Sequence, residues 1–157
     1  MSASQSDRRV QRIVSGGQTG ADRGGLDAAI QLGIPHGGWC PLDRLAEDGN
    51  IPARYQLDET ESAEYPVRTE CNVVDSDATL ILFRQRVHGG TQLTERLAVK
   101  HAKPHLLVDL SSPQSLPEIR EWLIENNVRI LNIAGPRDSS SPGIGEEVRN
   151  FLIQLLG

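Results

Sequence analysis

The chain has 157 residues, the length of one ordinary domain, of which 38% are hydrophobic, 4% aromatic and 24% charged. Sixteen basic against twenty-one acidic residues give a formal net charge of −5, and the sequence shows no basic face of the kind that nucleic-acid binding needs. Its apolar runs are too short to cross a bilayer. We therefore predict a soluble globular protein that binds neither nucleic acid nor a membrane.

The first residues and the cysteines bear on where the protein resides. Residues 1–9 lack the apolar core of a signal peptide and predict a disordered N-terminal tail, followed by one domain over residues 10–157. Cys40 and Cys71 have no Cys-x-x-Cys spacing, so we expect both as reduced thiols. Together these features predict a cytoplasmic protein.

Strand and helix patterns alternate along the chain in five successive units. The predicted strands cover residues 11–15, 36–40, 78–83, 105–109 and 129–134, and the predicted helices begin at or beside Gly20, Pro66, Gly90, Ser115 and Pro142. Residues 41–64 are acidic and rich in turn formers, which predicts an irregular surface excursion. The alternation predicts an α/β fold: a single doubly wound, mostly parallel Rossmann-like sheet with helices on both faces.

Apolar spacing predicts which faces of the first two helices pack against the rest of the protein. The predicted faces are Leu26, Ala29, Ile30 and Gly33 in the first helix, and Val67, Cys71 and Val74 in the second. Gly33 is also predicted to end the first helix, because glycine is common just after a helix C-terminus. In both helices the residues recur at the period of an amphipathic helix, so we expect them to lie together on one side.

Three strand-to-helix loops are rich in glycine, and in a parallel sheet such loops emerge together at the carboxyl edge, where ligands bind. Adjacent glycines let the backbone turn sharply and approach a ligand, and helix N-termini present free N–H groups to an anion. The predicted ligand-binding residues are Gly16, Gly17, Gln18, Thr19, Gly20 and Asp22 in the first loop, Gly89, Gly90 and Thr91 in the second, and Gly135 and Arg137 in the third. Taken alone, each loop can also be explained as a tight turn or a polar connector that binds no ligand.

Single side chains near these loops carry further expectations. Thr19 stands three residues before Asp22 and is expected to cap the first helix. Arg137 is the arginine best placed to neutralise a phosphate, whereas Arg23 is expected on a solvated helix surface. Glu95 and Asp22 are the carboxylates considered for general acid–base catalysis, and each is alternatively a helix cap.

The four histidines, His36, His88, His101 and His105, do not form a metal-binding set. His101 and His105 are four residues apart, but Pro104 lies between them and ends the helix, so they cannot share a helical face. We therefore expect no metal held by protein ligands.

Several stretches of the chain are distinctive: SGGQTGADRGGLDAA, GIPHGGWCP with AEDGNIPARY behind it, RTECNVVDSDATLIL, GGTQLT and NIAGPRDSSSPGIG. Together they resemble the putative molybdenum carrier family, in a circularly permuted branch of the SLOG group of Rossmann-like proteins. The resemblance runs from about Val14 to the C-terminus. It implies a Rossmann-like SLOG domain and a homo-oligomer, a dimer or a tetramer. It also implies glycine loops that hold a nucleotide or another phosphate-bearing ligand, such as the molybdenum cofactor.

We therefore expect a binding or carrier protein for a phosphorylated small ligand, the molybdenum cofactor or a nucleotide, held by the glycine-rich loops. Molybdenum would arrive inside its organic cofactor. One alternative is a nucleotide-processing hydrolase related to lonely-guy-type phosphoribohydrolases, and another is a nucleotide-sensing scaffold. If the glycines serve a ligand, valine at Gly17 or Gly90 should abolish binding at little cost to folding.

Overall fold

Nine strands and five α-helices make up the structure, a computed structural model that describes residues 10–87 and 89–157. The predicted tail, residues 1–9, and His88 lie outside the described residues. The strands are β1 (Arg12–Val14), β2 (His36–Gly37), β3 (Trp39–Cys40), β4 (Leu45–Ala46), β5 (Gly49–Asn50), β6 (Asp58–Glu59), β7 (Ala78–Phe83), β8 (His105–Asp109) and β9 (Ile130–Ala134). The helices are α1 (Ala21–Leu32), α2 (Tyr65–Asp75), α3 (Gly90–Lys100), α4 (Leu116–Glu125) and α5 (Ile144–Leu156).

Five of the strands form a parallel sheet in the order β2-β1-β9-β7-β8. All six residues of β7 are buried, as expected of a central strand with a continuous apolar run. From β1 the chain continues to β2 at one edge of the sheet, and from β7 it continues to β8 at the opposite edge. The loops after β1, β9 and β7 therefore emerge side by side at the carboxyl edge. The predicted α/β Rossmann-like sheet is confirmed.

Helices cover both faces of this sheet. Helices α1, α4 and α5 share one buried cluster with alternate strand residues, among them Leu80 and Leu82 of β7. On the other face α2 and α3 pack around Val73 and Leu97, because successive side chains of a strand point to opposite sides. Among the described residues, no helix has both the length and the apolar character needed to cross a membrane.

Helices α1 and α5 meet by close approach of their backbones. A Cβ at Gly24 would lie 2.3 Å from the carbonyl oxygen of Gly145, so glycine is required there. The buried residues of α1 lie between Ala21 and Ala29, and Ile30 is 46% exposed. The prediction that Ile30 packs inward is wrong, whereas Leu26 and Ala29 are buried as predicted.

Helix α2 packs with a different face from the predicted one. Its buried residues are Asn72 and Val73. Asn72 Oδ1 accepts the N–H of Trp39 at 2.8 Å, and its Nδ2 donates to the Trp39 carbonyl at 2.9 Å. At about 3.6 residues per turn Val67 and Val74 lie on the side of the helix away from Asn72, and both are exposed. The predicted packed stripe through Val67 and Val74 is therefore wrong.

Residues 36–40 form two short strands instead of the single predicted one. Gly38 adopts φ +124°, and a Cβ there would lie 2.4 Å from the carbonyl oxygen of Ser15. The chain turns at this glycine, so β2 pairs with β1 in the central sheet while β3 pairs with β6 in a separate one.

The acidic segment, residues 41–64, has a small buried core of its own. Ile51 and Tyr55 are buried together with Leu26 of α1, which anchors the segment to the main domain. Strands β4 and β5 form an antiparallel hairpin with Glu47 and Asp48 at its tip. The prediction of an irregular surface excursion is wrong in this respect, because the segment forms a hairpin and two of its large side chains are buried.

Candidate functional site

A cavity of about 480 Å³ lies where the loops after the central strands emerge. It is bordered by the first glycine loop, by residues 65–72 of α2, by residues 89–94 at the start of α3, and by residues 132–140 of β9 and its loop. Small-molecule sites are clefts of roughly 300–1,000 Å³ lined by apolar surface and a few convergent polar groups. The cavity has the size and the position of such a site.

The predicted ligand-binding residues divide between two places. Those that border the cavity are Gly16, Gln18, Asp22, Gly89, Gly90, Thr91, Gly135 and Arg137. Thr19 and Gly20 border a second, more open hollow between the first and third loops. Gly17 borders neither of these two spaces.

The start of α3 leaves room for a ligand. The helix follows Gly89, which adopts φ +60°, and none of the described side chains caps its N-terminus. A Cβ at Gly90 would meet no described atom within 4 Å. By contrast, α4 after the edge strand β8 is capped by Ser115, whose hydroxyl accepts the N–H of Glu118. The α3 N-terminus therefore presents uncapped N–H groups to open space beside the cavity.

Other glycines of the three loops are required by the fold itself. Gly17 has φ +79°, and a Cβ there would lie 2.7–2.8 Å from side-chain carbons of Leu57 and Ile51. A Cβ at Gly20 or Gly135 would lie 2.5 Å or 2.1 Å from a backbone oxygen. The prediction that valine at Gly17 would cost little in folding is wrong, because a β-branched side chain is strained at this positive φ whatever space surrounds it.

Arg68 of α2 is a second cation of the cavity wall besides Arg137, and the sequence analysis missed it. Its Nη1 lies 2.9 Å from Asp22 Oδ2, and the side chains are only 13% and 7% exposed. The buried Arg68 Nε has no hydrogen-bond partner among the described residues. Its guanidinium carbon lies 5.5 Å from the centre of the Tyr65 ring. The one signal in the sequence is that Arg68 and Asn72 are four residues apart and so share a helix face.

Asp22 is a buried carboxyl at the cavity wall. Its Oδ2 also accepts the N–H of Gln18 at 3.3 Å. Burial raises the pKa of Asp22 above its ordinary value, while the attraction of Arg68 acts in the opposite direction. Among the described residues no side chain caps α1, so the alternative prediction that Asp22 is a helix cap is wrong. Asp22 lies in the first turn of α1 and forms an ion pair that reaches across to α2.

Gln18 presents an unpaired donor on the cavity wall. This residue is 7% exposed, and its Oε1 accepts the N–H groups of Thr19 at 3.1 Å and Glu47 at 2.9 Å. Those two donors identify the oxygen, so the other end of the amide is Nε2, for which the described residues offer no partner. Thr19 does not cap α1, contrary to prediction. Its hydroxyl donates to Glu47 and accepts the N–H of Asp138 at 3.1 Å.

Arg137 and Arg23 both lie beside acidic side chains at the tip of the β4–β5 hairpin. Arg137 borders the cavity, half-exposed, with its Nε 3.8 Å from Glu47 Oε1. The prediction that Arg23 lies on a solvated helix surface is wrong, because the acidic segment covers this side chain. Its Nη1 lies 2.6 Å from Asp48 Oδ2, and its Nε donates to the Gly17 carbonyl at 3.0 Å.

The remaining candidate groups lie elsewhere. Glu95 is not among the residues that border the cavity, and its Oε2 lies 3.7 Å from His105 Nε2. Cys40 and Cys71 are both free thiols. A search of residues 10–87 and 89–157 finds no group of three or more His, Cys, Asp or Glu side chains arranged to hold a metal ion.

Comparisons with known proteins agree with this architecture. A family model described as the circularly permutated YpsA SLOG family matches residues 13–156. Among solved structures the chain is similar to a putative molybdenum carrier protein from Syntrophus aciditrophicus SB. That similarity has 43% sequence identity and a TM-score of 0.90, and it covers 96% of this chain and 97% of that one. No curated protein matches.

Proposed function

The chain belongs to the circularly permutated YpsA SLOG family, and we propose that it binds and carries a small phosphorylated ligand in the cavity between its glycine-rich loops. The family match extends over nearly the whole described domain, and the resemblance predicted from the motifs is confirmed. A ligand-binding role agrees with both comparisons. The phosphorylated nature of the ligand is our inference from the chemistry of the cavity wall.

One observation carries the proposal: the open N-terminus of α3 and the buried cation Arg68 border the same cavity. Uncapped helix N–H groups are donors that a phosphate oxygen accepts, and the Arg68 guanidinium adds positive charge at the cavity wall. Gly90 has no side chain, so a ligand can approach the helix N-terminus closely. Asp22 neutralises part of the Arg68 charge, so we expect most of the phosphate affinity to come from the backbone N–H groups.

We propose the molybdenum cofactor or a nucleotide as the ligand. Both carry a phosphate and a polar heterocycle, and the cavity wall offers Gln18 Nε2 as a donor for such a ring. The name of the similar solved protein supports a molybdenum-containing cargo. In that case the metal is bound within its organic cofactor, and the protein contacts the organic part.

Mass spectrometry and titration calorimetry test this function. Native mass spectrometry of freshly purified protein, with elemental analysis for molybdenum, reports a co-purified ligand, and calorimetry with AMP and with inorganic phosphate measures binding directly. We expect AMP to bind and phosphate to compete with it. If neither binds and no ligand co-purifies, the proposal is wrong. The same mass spectra report the homo-oligomer, which stays a prediction, as does the cytoplasmic location.

A nucleotide-processing hydrolase is the second candidate, because Asp22 combines a place on the cavity wall with a pKa raised by burial. Such a carboxyl is suited to proton transfer at a bound substrate. The test is incubation with a panel of nucleoside monophosphates and chromatography of the products. Release of a free base by the wild type, lost in Asp22→Asn, would establish the hydrolase. The carrier proposal predicts binding without release.

A further inference from the structure

The hairpin tip at Glu47 places an acidic side chain beside a site that we propose for an anion. A carboxylate near such a site lowers the affinity for phosphate through like-charge repulsion. Glu47 lies at an exposed hairpin tip, but its side chain is only 19% exposed because its carboxylate contacts the first and third loops. The contacts of Glu47 indicate a structural role that offsets this unfavourable charge.

The Glu47 carboxylate joins the first loop to the third. Its Oε2 accepts the hydroxyl of Thr19 and, at 3.1 Å, the N–H of Ser139. Its Oε1 accepts the hydroxyl of Ser139 at 2.5 Å and lies 3.8 Å from Arg137 Nε. The hydrogen bonds from Ser139 and Thr19 hold the pKa of Glu47 below its ordinary value, so the group is ionised at neutral pH. Ser139 lies 92 residues from Glu47 in the sequence.

The backbone of Glu47 fixes a side chain of the cavity wall. Its N–H donates to Gln18 Oε1 at 2.9 Å, which leaves Gln18 Nε2 as the end of the amide without a partner. Thr19 and Ser139, which the carboxylate contacts, border the second hollow and not the cavity. Glu47 therefore lies outside the cavity and reaches it through Gln18 and Arg137, which both border it.

We infer that Glu47 is a positioning residue: it ties the first and third loops together from outside and thereby sets Gln18 and Arg137 on the wall of the ligand cavity. The inference depends on the proposed function for its effect on a ligand. Its effect on the loops is independent of any ligand and is tested in the free protein.

Hydrogen exchange of single backbone amides tests the positioning in the absence of ligand. In Glu47→Ala we expect the amides of Thr19, Asp138 and Ser139 to exchange about tenfold faster, because their acceptors are removed or released. Amides of residues 91–94 in α3 should not change. Glu61→Gln removes the same charge from an exposed position of the acidic segment and should leave all of these amides unaffected. Unchanged exchange at Asp138 and Ser139 in Glu47→Ala would overturn the inference.

Calorimetry with AMP tests the effect on binding. We expect Glu47→Ala to bind AMP about tenfold more weakly, Glu47→Gln to recover part of that loss through its amide oxygen, and Glu61→Gln to bind as the wild type does. Wild-type or tighter binding by Glu47→Ala would refute the positioning role, because it would make the carboxylate a competitor of the ligand. If the wild type itself binds neither AMP nor phosphate, the proposed function fails, and the exchange experiment alone decides the role of Glu47.

Discussion

Alanine at Gly90 should raise stability while it weakens ligand binding. Gly90 is the first residue of α3, its φ is not positive, and a Cβ there meets no described atom within 4 Å. Alanine reduces the conformational entropy of the unfolded chain, which at a compatible position stabilises a protein by about 0.4–1 kcal/mol. For a domain of this length that corresponds to a rise in melting temperature of about 1–4 °C.

The same methyl group should obstruct the ligand. Phosphate oxygens accept backbone N–H groups at donor–acceptor distances of about 2.7–3.2 Å, and Gly90 borders the cavity at the uncapped end of α3. A Cβ in that space prevents at least one charge-assisted hydrogen bond, worth about 1.5–3 kcal/mol. We therefore expect AMP to bind about 10- to 100-fold more weakly to Gly90→Ala.

Differential scanning fluorimetry and calorimetry with AMP measure the two effects, and Gly33→Ala is the control. Gly33 ends α1 with φ +72° and does not border the cavity. Alanine at that left-handed position should cost about 1 kcal/mol of stability and leave the affinity unchanged. If folded Gly90→Ala binds AMP as tightly as the wild type, the amides of α3 do not hold the phosphate and the reasoning fails.

Further predictions concern an ion pair, a carboxylate and a helix cap. Arg68→Met leaves the Asp22 carboxyl buried without its partner and should lower the free energy of unfolding by about 3–5 kcal/mol in urea, whereas Arg68→Lys, which keeps the charge, should lose clearly less. The folded pKa of Glu47 lies below its ordinary value of 4.5, so its stabilising contribution is present above that pH and is lost as the pH falls through the folded pKa. Melting from about pH 3 to about pH 7 should therefore show a steeper acid loss in the wild type than in Glu47→Gln, and parallel curves would contradict this. Ser115→Ala removes the α4 cap and should cost about 1 kcal/mol, with AMP affinity unchanged.

Local patterns in the chain were enough to predict the frame of the fold. The apolar run Ala78–Phe83 predicts a fully covered strand, and all six residues are buried. Ser115 followed by Glu118 predicts a capped helix start, and the cap is formed. Gly33 predicts the end of α1, where the backbone is left-handed. Each of these predictions depends on residues within one turn or one strand of each other, so sequence spacing carries the whole physical cause.

Side-chain partners far apart in the chain could not be predicted in this way. The burial of Asn72 is accompanied by hydrogen bonds with Trp39, a residue 33 positions away. The closeness of Ile51 to Gly17 likewise exists only in the folded chain, and the acidic composition of the segment that contains Ile51 gives no sign of it.

Residue order alone therefore establishes the alternation of strands and helices and, through it, the single edge at which the glycine-rich loops emerge. The pairing of Asp22 with Arg68 across 46 residues and of Glu47 with Ser139 across 92 exists only in the folded chain. Hydrophobic period and turn chemistry act over a few residues, whereas an ion pair depends on how whole helices and loops pack. For that reason the edge that carries the site follows from local rules, whereas the partners of its charged groups do not.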